Sequence, residues 1–484
     1  MLDYKPNIVL ATGEYKVVGT RPIRHDGADK VTGQAKYGAD IILPGLLHGK
    51  ILRSPHAHAR IKSIDTSKAE AAPGVHAVVT SADWEQPTGK VEDLAEGSIH
   101  NLRFLSNNIL AYGKVLYKGH AVAAVAAANP HQAEEALALI DVDYEVLTPV
   151  NNFREAMKEG APLLHERLET LSDPGLRAGG YKSDEDTAMG SNVANHFEFR
   201  VGDVEKGFQE ADVIVEKETN TAAVHQGYIE PHTGTAMWQP DGSLTVWSST
   251  QGHFNARDLL SRLLNLPVSR IRVIPMEIGG GFGAKGILYS EPVAVLLAGK
   301  AGRPVKVTMS RTEVFEASGP TSATNIKIKL GATNDGKLVA GEAHLIYESG
   351  AFPGSPVPGG CNCIMGPYDI PNTYLEGLDV LVNHPKSAAY RAPGAPAAAF
   401  AMETAVDELC EKLGMDPLEF RLLNSAKEGT RRATGPLMPK VGLVDTVQAA
   451  KDHPHYGTPL EGPYRGRGVA SGFWGNGTGP ARAV

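Results

Sequence analysis

Short apolar runs separated by turn residues characterise residues 17–150 of the chain. Each run is bounded by Gly, Pro or Ser, as is typical of strands, and the clearest are residues 47–53, 75–79 and 121–127. A helix is predicted to begin at Pro130, with Asn129 as its N-cap. Residues 141–147 then alternate polar and apolar side chains with the period of a strand. This mixture predicts an α+β domain.

A polar stretch at residues 151–195 separates this domain from a second block. It is rich in Gly, Asp and Ser and lacks sustained periodicity, which predicts a linker or a long excursion. Residues 196–435 resume the alternation and predict a mixed α/β domain. Its predicted strands are residues 213–217, 243–248, 271–275, 305–309, 325–330 and 343–347, and its predicted helices are residues 255–264, 290–299 and 399–413. Residues 1–16 are predicted to be a tail, and residues 436–484 to begin a third unit with a helix at 443–452.

Composition places the chain among soluble globular proteins. Apolar residues make up 42% of its 484 positions and charged residues 21%. The formal net charge of −8 argues against a generally basic nucleic-acid-binding surface. The N-terminus lacks the basic-then-apolar order of a signal peptide, and no apolar stretch approaches the about 20 residues that span a bilayer. We therefore expect a cytoplasmic protein with neither a membrane anchor nor a nucleic-acid partner.

Conventional catalytic and metal-binding motifs are missing from the sequence. There is no GxSxG, HExxH or CxxC motif, and three cysteines cannot form a disulfide framework. Two of them form Cys361-Asn362-Cys363, which could ligate a metal, but no second pair accompanies it, so we expect free structural thiols. Glu230 is a candidate buried carboxylate, for which a catalytic role and a structural salt bridge both stay open.

The most distinctive segment is the glycine loop, residues 278–286 (IGGGFGAKG), which directly follows the predicted strand at 271–275. Consecutive glycines free the backbone for left-handed angles and let a ligand contact main-chain N–H groups. The helix predicted at 290–299 follows, so its N-terminus could face an anion. The alternative is a tight strand-to-helix turn that binds nothing.

Nucleotide-binding motifs fit this loop poorly. A GxGxxG match at residues 281–286 contains Lys285, and no acidic residue ends a second strand about 20 positions later. A Walker loop is excluded because Lys285 is followed by Gly286 instead of Ser or Thr. We therefore expect a ligand other than a nucleotide di- or triphosphate.

Two further motifs place polar side chains at the ends of predicted elements. Gln251, in the sequence S-T-Q at 249–251, carries a donor and an acceptor that could fix one ligand oxygen. Alternatively, Ser249 and Thr250 cap the next helix and Gln251 is merely solvated. Arg391, in the sequence A-Y-R-A-P-G, lies among small residues and prolines and suits bidentate contact with an oxyanion. The alternative is a surface arginine on a turn.

In this order the S-T-Q, G-G-G-F-G-A-K and A-Y-R-A-P-G motifs are highly specific. Through them the chain resembles the molybdenum-cofactor-binding large subunit of the xanthine oxidase family of molybdenum hydroxylases, which includes xanthine dehydrogenase and aldehyde oxidase. The resemblance implies an α/β-hammerhead domain at residues 17–150 and a first molybdenum-cofactor-binding domain at 196–435. Residues 436–484 would be the start of a second cofactor domain, which the sequence truncates.

The resemblance also implies roles around a molybdenum that a pterin holds through its dithiolene, with no metal ligand from the protein. Gln251 would hydrogen-bond an oxo group on molybdenum, Phe282 and Gly283 would lie beside the metal and pterin, and Arg391 would donate to the cofactor from the opposite side. Gln251 and Arg391 are the implied catalytic residues. The implied cofactor-binding residues are Gln251, Gly252, Gly281, Phe282, Gly283 and Arg391. The cofactor is expected as molybdopterin cytosine dinucleotide.

The implied reaction is hydroxylation of an electron-poor carbon by water, with electrons passing to 2Fe-2S clusters and FAD. Both groups are expected on partner subunits, an iron–sulfur subunit and an FAD-binding subunit, because three cysteines cannot supply four ligands per cluster. The family's general base is a glutamate in a Gly-Glu motif far toward the C-terminus, and it has no counterpart in this sequence. We therefore expect a second chain that carries this base and the rest of the cofactor domains.

Departures from the family narrow the expected small-molecule substrate. Gly286 and Thr321 stand at or near positions where purine-oxidising members carry a glutamate and an arginine, which disfavours purines. Ala392 follows Arg391 where copper-containing carbon monoxide oxidisers carry a cysteine, which disfavours that gas. The substrate classes that remain are N-heterocycles, aldehydes and aromatic acyl compounds. The rival hypotheses are a non-catalytic cofactor-binding or assembly scaffold and, less favoured, an NAD-linked Rossmann enzyme.

Overall fold

Most of the chain is described by the computed structural model, which covers residues 16–17, 20–84, 91–93, 99–166, 168 and 191–475. Nearly all of the predicted tail, much of the predicted excursion and the end of the predicted third unit lie outside the described residues. Strands and helices alternate along the described part, and the predicted mixed α/β class is confirmed. No helix among the described residues is long and apolar enough to cross a bilayer.

Strands in the described residues form four sheets of seven, five, three and two strands. The strands are β1 Leu47–Arg53, β2 Ala59–Asp65, β3 Val75–Thr80, β4 Val91–Asp93, β5 Ile99–Asn101, β6 Lys114–Val115, β7 Ala121–Ala127, β8 Asp141–Val146, β9 Val193–Val201, β10 Val213–Thr221, β11 Thr233–Trp238, β12 Leu244–Ser248, β13 Ile271–Pro275, β14 Val305–Thr308, β15 Thr324–Ala332, β16 Leu338–Gly350 and β17 Asn372–Leu381.

Helices cover the sheets and link their strands. They are α1 Gly27–Thr32, α2 Ser67–Glu70, α3 Leu102–Ile109, α4 Pro130–Leu137, α5 Phe153–Ala156, α6 Val204–Gln209, α7 His253–Leu263, α8 Ser290–Ala301, α9 Arg311–Ala317, α10 Val357–Ile364, α11 Ala395–Leu413, α12 Pro417–Asn424 and α13 Leu443–Asp452. The predicted N-cap of α4 is confirmed, because the Asn129 side chain accepts the Gln132 N–H. Helix α11 begins four residues before its predicted start, because Pro396 is tolerated in the first turn of a helix.

The seven-stranded sheet combines strands from both predicted α/β blocks, in the order β13-β12-β11-β14-β1-β7-β3. Parallel pairing of β1 with β14 joins the two sets, with Leu47 opposite Val305 and Gly49 opposite Val307. Strand β7 is buried at all seven positions because both of its faces are covered, one by the main core with α8 and the other by α4. This explains its sequence of only Ala and Val, which shows no polar alternation.

The five-stranded sheet, in the order β10-β15-β16-β17-β9, buries its inner face, while α5 covers part of its outer face around Val380. Its inner face packs against α10 and α11 in a second core, to which Phe197 and Phe199 of β9 contribute. Strand β9 alternates apolar and polar residues, yet the polar sequence before it had obscured the signal. The three cysteines are free and buried on α10 and α11, and burial raises the pKa of Cys361 to about 12.

Candidate cofactor-binding site

Strands β12 and β13 lie side by side and parallel, so the segments after them leave the seven-stranded sheet at the same edge. Residues 249–252 follow β12, and the glycine loop follows β13. The pairing continues past the strands, because the Met276 N–H donates to the Ser248 carbonyl at 2.9 Å. The topology therefore places Gln251 against the glycine loop.

The Gln251 side chain is anchored by the loop through its oxygen. Its Oε1 accepts the Gly283 N–H at 2.8 Å and the Lys285 N–H at 3.2 Å. Two backbone donors require the amide oxygen at this point, which fixes the orientation of the carboxamide. The Nε2 group faces away from these donors and has no partner among the described residues. Gln251 therefore offers two N–H donors outside the loop, and the alternative that it is merely solvated is wrong.

Two glycines let the backbone approach this closely. A Cβ atom on Gly281 would lie 2.6 Å from the Gln251 Oε1 atom. Gly283 has φ +108°, and a Cβ there would lie 2.6 Å from the Ala389 carbonyl oxygen. Phe282 between them has φ +55°, a left-handed value rare for a bulky residue, and its ring is 47% exposed. Such strain is typical of functional loops.

Arg391 is joined to the same loop by its backbone. Its N–H donates to the Phe282 carbonyl at 2.8 Å, and the next residue, Ala392, has φ +64°. The turn that carries Arg391 is also fixed at Gly394, whose carbonyl accepts the Tyr347 hydroxyl at 2.8 Å. The Arg391 side chain is exposed and has no hydrogen-bond or ion-pair partner among the described residues. It is a surface arginine on a turn, but on a turn fixed to the glycine loop.

Two possibilities that the sequence left open at helix termini are not found in the described structure. Ser249 and Thr250 do not cap α7, whose N-cap is Gly252; the Thr250 hydroxyl instead donates to the Lys285 carbonyl at 3.0 Å. The N-terminus of α8 does not face an open anion site, because Glu291 of its own first turn is buried there. Its carboxylate accepts from the Ser248 hydroxyl at 2.5 Å and from the Tyr289 N–H at 3.3 Å.

Glu230 lies in an ion pair beneath the loop. Its Oε2 atom is 2.5 Å from the Nζ atom of Lys285 and accepts the Gly279 N–H at 2.7 Å. Burial holds the pKa of Lys285 below its usual value, against the opposing attraction of Glu230. Of the two roles left open by the sequence, the structure supports the salt bridge. Sequence reasoning missed Lys285 as its partner, although a lone lysine in a glycine-rich loop was a usable signal.

The six sequence-predicted residues thus lie on adjoining segments. Gly252 caps α7 directly after Gln251, Gly281 to Gly283 form the turn above it, and Arg391 joins Phe282. The outward-facing groups are amide and guanidinium donors, and the Glu230 carboxylate beneath the loop is paired with Lys285. Such a donor set suits an anionic, oxygen-rich group, with the exposed Phe282 ring as an apolar neighbour. The residues present therefore fit an oxo- and phosphate-bearing cofactor such as molybdopterin.

Comparison with protein families gives two matches. Residues 186–425 match the molybdopterin cofactor-binding domain, and residues 32–148 match the a/b hammerhead domain of aldehyde oxidase and xanthine dehydrogenase. All six site residues fall in the first match. The shared seven-stranded sheet draws strands from both matched regions.

Individual relatives agree with these matches. The nicotinate dehydrogenase large molybdopterin subunit of Eubacterium barkeri is 33% identical over 444 residues, covering 91% of this chain and 96% of that subunit. The carbon monoxide dehydrogenase large chain of Afipia carboxidovorans is 34% identical over 408 residues, covering 81% of this chain and 48% of that protein.

A solved structure, the aldehyde oxidoreductase from Desulfovibrio gigas, superposes with a TM-score of 0.76 at 28% identity, covering 88% of this chain and 45% of that one. The chain thus spans about half the length of several relatives and nearly all of the nicotinate dehydrogenase subunit. The chain belongs to the xanthine oxidase family of molybdenum hydroxylases and matches part or nearly all of its molybdopterin-binding large subunits.

Proposed function

We propose that this chain is the cofactor-binding subunit of a molybdenum hydroxylase that oxidises a small organic substrate with water. The observation that carries the proposal is the donor set of Gln251, the glycine loop and Arg391, which lies in the region matched by the molybdopterin cofactor-binding domain. When bound, the cofactor supplies the metal centre at which the substrate carbon is oxidised.

The roles proposed for the chain's own residues follow from their geometry. Gln251 is anchored through Oε1, so its Nε2 group is available to orient an oxygen of the bound group. Arg391 offers a free guanidinium fork from a loop with little freedom, which suits a second oxygen or a phosphate. Gly281 and Gly283 allow the backbone to lie close to the ligand, and Phe282 shields one side of it from water. These groups bind and orient, and none of them is placed as the general base.

The partner subunits are part of the same proposal. Electrons would leave through 2Fe-2S clusters on an iron–sulfur subunit and FAD on a third subunit, in a hetero-oligomer. The relative matched over almost its whole length is named as one large subunit of nicotinate dehydrogenase, which supports an enzyme divided among chains. A second chain would supply the general-base glutamate and the remaining cofactor domain, and the cofactor would be the cytosine dinucleotide form.

The proposed substrate is an N-heterocycle, an aldehyde or an aromatic acyl compound. Gly286 offers no carboxylate, and Thr321, whose N–H donates to the Val224 carbonyl, offers no guanidinium for a purine. Ala392 offers no thiolate for a copper-dependent oxidation of carbon monoxide. Turnover of an aromatic heterocycle or aldehyde, without turnover of hypoxanthine or carbon monoxide, is the expected result of a substrate panel.

Molybdenum content tests the central proposal. The chain would be purified together with its partner subunits from cells supplied with molybdate, and molybdenum and pterin would be measured per chain. We expect about one molybdenum per chain, since the site has one donor set. A complex without molybdenum would contradict the proposal, whereas bound cofactor without turnover of any substrate would favour the scaffold.

Substitution of the two polar side chains tests their roles. Gln251→Ala and Arg391→Ala are each expected to lower kcat per bound molybdenum by about a hundredfold, the usual effect of removing an oriented donor. The Arg391 side chain has no partner in the part of the chain that the structure describes, so Arg391→Ala should hardly change the thermal unfolding midpoint. Gln251→Ala should lower the midpoint modestly, because two loop N–H groups lose their acceptor. Arg200→Ala is the matched control, because Arg200 is an exposed arginine on the outer face of the five-stranded sheet. Equal losses of activity in all three variants would contradict the assigned roles.

A further inference from the structure

Lys285 lies inside the glycine loop but does not point toward a ligand. Its side chain is fully buried, with Nζ 2.5 Å from Glu230 Oε2 and 5.3 Å from the centre of the Tyr228 ring. A lysine that served a phosphate would have to reach the open side of the loop. The Lys285 ammonium group is instead buried and paired with Glu230.

The main chain of Lys285 holds the Gln251 motif at three points. Its N–H donates to Gln251 Oε1 at 3.2 Å, and its carbonyl accepts the Gln251 N–H at 2.9 Å and the Thr250 hydroxyl at 3.0 Å. A displacement of the Lys285 backbone would therefore carry the Gln251 carboxamide with it.

Glu230 holds the opposite end of the same loop. Its carboxylate accepts the Gly279 N–H at 2.7 Å, and its own N–H donates to the Gly279 carbonyl at 3.0 Å. A Cβ on Gly279 would lie 2.6 Å from the Glu230 Cβ atom, so the two backbones are in direct contact. The ion pair thus ties the first and last turns of the loop to one buried point.

Such a pair is poorly explained as a source of stability alone. Burying two charges costs desolvation that their attraction only partly offsets, and apolar replacements of buried ion pairs are often tolerated. What the pair does provide is a fixed distance between two backbone segments. We propose that Glu230 and Lys285 form a positioning pair, which holds the glycine loop closed and thereby orients the Gln251 carboxamide toward the ligand. This inference rests on the proposed function only for its kinetic test.

Amide hydrogen exchange of the full chain tests the structural half of the inference. Lys285→Met removes the charge at similar volume, and amides of the glycine loop should then exchange about tenfold faster or more. Amides of β15 should be unchanged, which shows that the chain has folded. The double variant Glu230→Gln/Lys285→Met leaves no unpaired buried charge and should show the same acceleration if the single variant fails to fold. Unchanged loop exchange in a folded variant overturns the inference.

A second buried ion pair supplies the matched control. Glu403 and Arg421 are 2.7 Å apart and as deeply buried as Glu230 and Lys285. Glu403→Gln makes the same chemical change as Glu230→Gln at a residue of α11 whose hydrogen-bond partners, Tyr368, Arg421 and Ser471, lie outside the glycine loop. Only Glu230→Gln should accelerate exchange in the loop, although both should lower the unfolding midpoint. Equal acceleration by both would show a general loss of stability and overturn the inference.

A kinetic double-mutant cycle distinguishes positioning from mere stabilisation. If Lys285 acts through Gln251, Lys285→Met should lower kcat per molybdenum about tenfold in the native background and not at all in the Gln251→Ala background. Losses that multiply would overturn the positioning role. An absence of molybdenum would contradict the proposed function but leave the exchange result intact, so the two failures are distinguishable.

Discussion

The orientation of one carboxamide organises the candidate site at the scale of the residue. Gln251 accepts two loop N–H groups through one oxygen, so the direction of its remaining donors follows from hydrogen-bond counting. The glycine at position 281 is part of this arrangement, because it leaves room for that oxygen. Space and hydrogen bonding therefore specify the same geometry.

Gly281→Ala tests this dependence on space. The added Cβ would lie 2.6 Å from Gln251 Oε1, and overpacking of this kind costs about 1–3 kcal/mol. Gly286→Ala is the matched control in the same loop, because a Cβ there meets nothing within 4 Å. Urea denaturation should show a lower midpoint for Gly281→Ala alone. Equal midpoints would mean that the loop relaxes freely around Gln251.

Residue types at the ends of elements could be predicted from the sequence, whereas side-chain directions could not. Gln251 and Arg391 stood out because each lies among turn residues beside a regular element. Nothing local indicated the direction of the Lys285 side chain, since its partner Glu230 lies 55 positions away. Long-range pairing of this kind depends on the sheet order, which a single sequence does not contain.

At the scale of elements, the outer face of the five-stranded sheet carries a chain of four titratable side chains. His344 lies between Glu376 at 2.8 Å and Glu342 at 2.9 Å, and Glu376 is also 2.9 Å from His196. Both ring nitrogens of His344 face carboxylates, which favours its charged form. Hydrogen bonds to Glu376 raise the pKa of both histidines, and bonds from His196 and His344 lower the pKa of Glu376 to about 2.

These shifts predict a pH dependence of stability. The histidines stabilise the folded state fully below their ordinary pKa of 6.5, and this contribution is lost as pH rises through their higher folded-state values. The contribution of Glu376 is present above its ordinary pKa of 4.5 and is lost as pH falls toward about 2. Each partly exposed pair contributes only about 0.2–1 kcal/mol. The urea midpoint should therefore decrease modestly as the pH rises above 6.5 and through the higher folded-state pKa values of the histidines.

Glu376→Gln should flatten this decrease, because the histidines then have pKa values nearer to those of the unfolded chain. Glu216→Gln is the control, since Glu216 pairs with Lys329 on the same face and no histidine depends on it. A slope that survives Glu376→Gln would assign the pH dependence to other groups. Neither histidine was singled out by sequence, because the four residues lie on three strands whose order only the structure provides.

At the scale of the whole molecule, the two family-matched regions share both a sheet and a core. Asn383 bridges them, since its side chain accepts the Val150 N–H at 2.7 Å and donates to the Leu116 carbonyl at 2.8 Å. Leu116 and Tyr117 also pack with Phe352 and Leu381 in one buried cluster. The sequence predicted an α+β domain in the first region and a mixed α/β domain in the second. It did not predict their shared sheet, because a parallel pair between β1 and β14 leaves no local signal.

Gly49→Val tests the strand pairing of β1 with β14, which joins the two regions in one sheet. Even a Cβ on Gly49 would lie 2.5 Å from Val307 and 3.2 Å from Leu297, so the larger side chain should cost about 1–3 kcal/mol or more. Amides of both strands should exchange faster together. Gly27→Ala in α1 is the control, because its Cβ would make an ordinary 3.6 Å contact. Faster exchange confined to β1 would show that the pairing of β1 with β14 does not couple the stability of the two family-matched regions.

The close fit at Gly49 also limits which regions of two relatives can be combined in one chain. Consider a hybrid that takes residues 32–148 from one relative and residues 186–425 from another. Gly49 then comes from one protein and its neighbours Val307 and Leu297 from the other, so the two proteins must fit at this contact. A bulkier residue at either side would overpack this contact. A hybrid of this kind is therefore expected to lose stability at this contact, even where the crossover leaves every residue of the cofactor site in place.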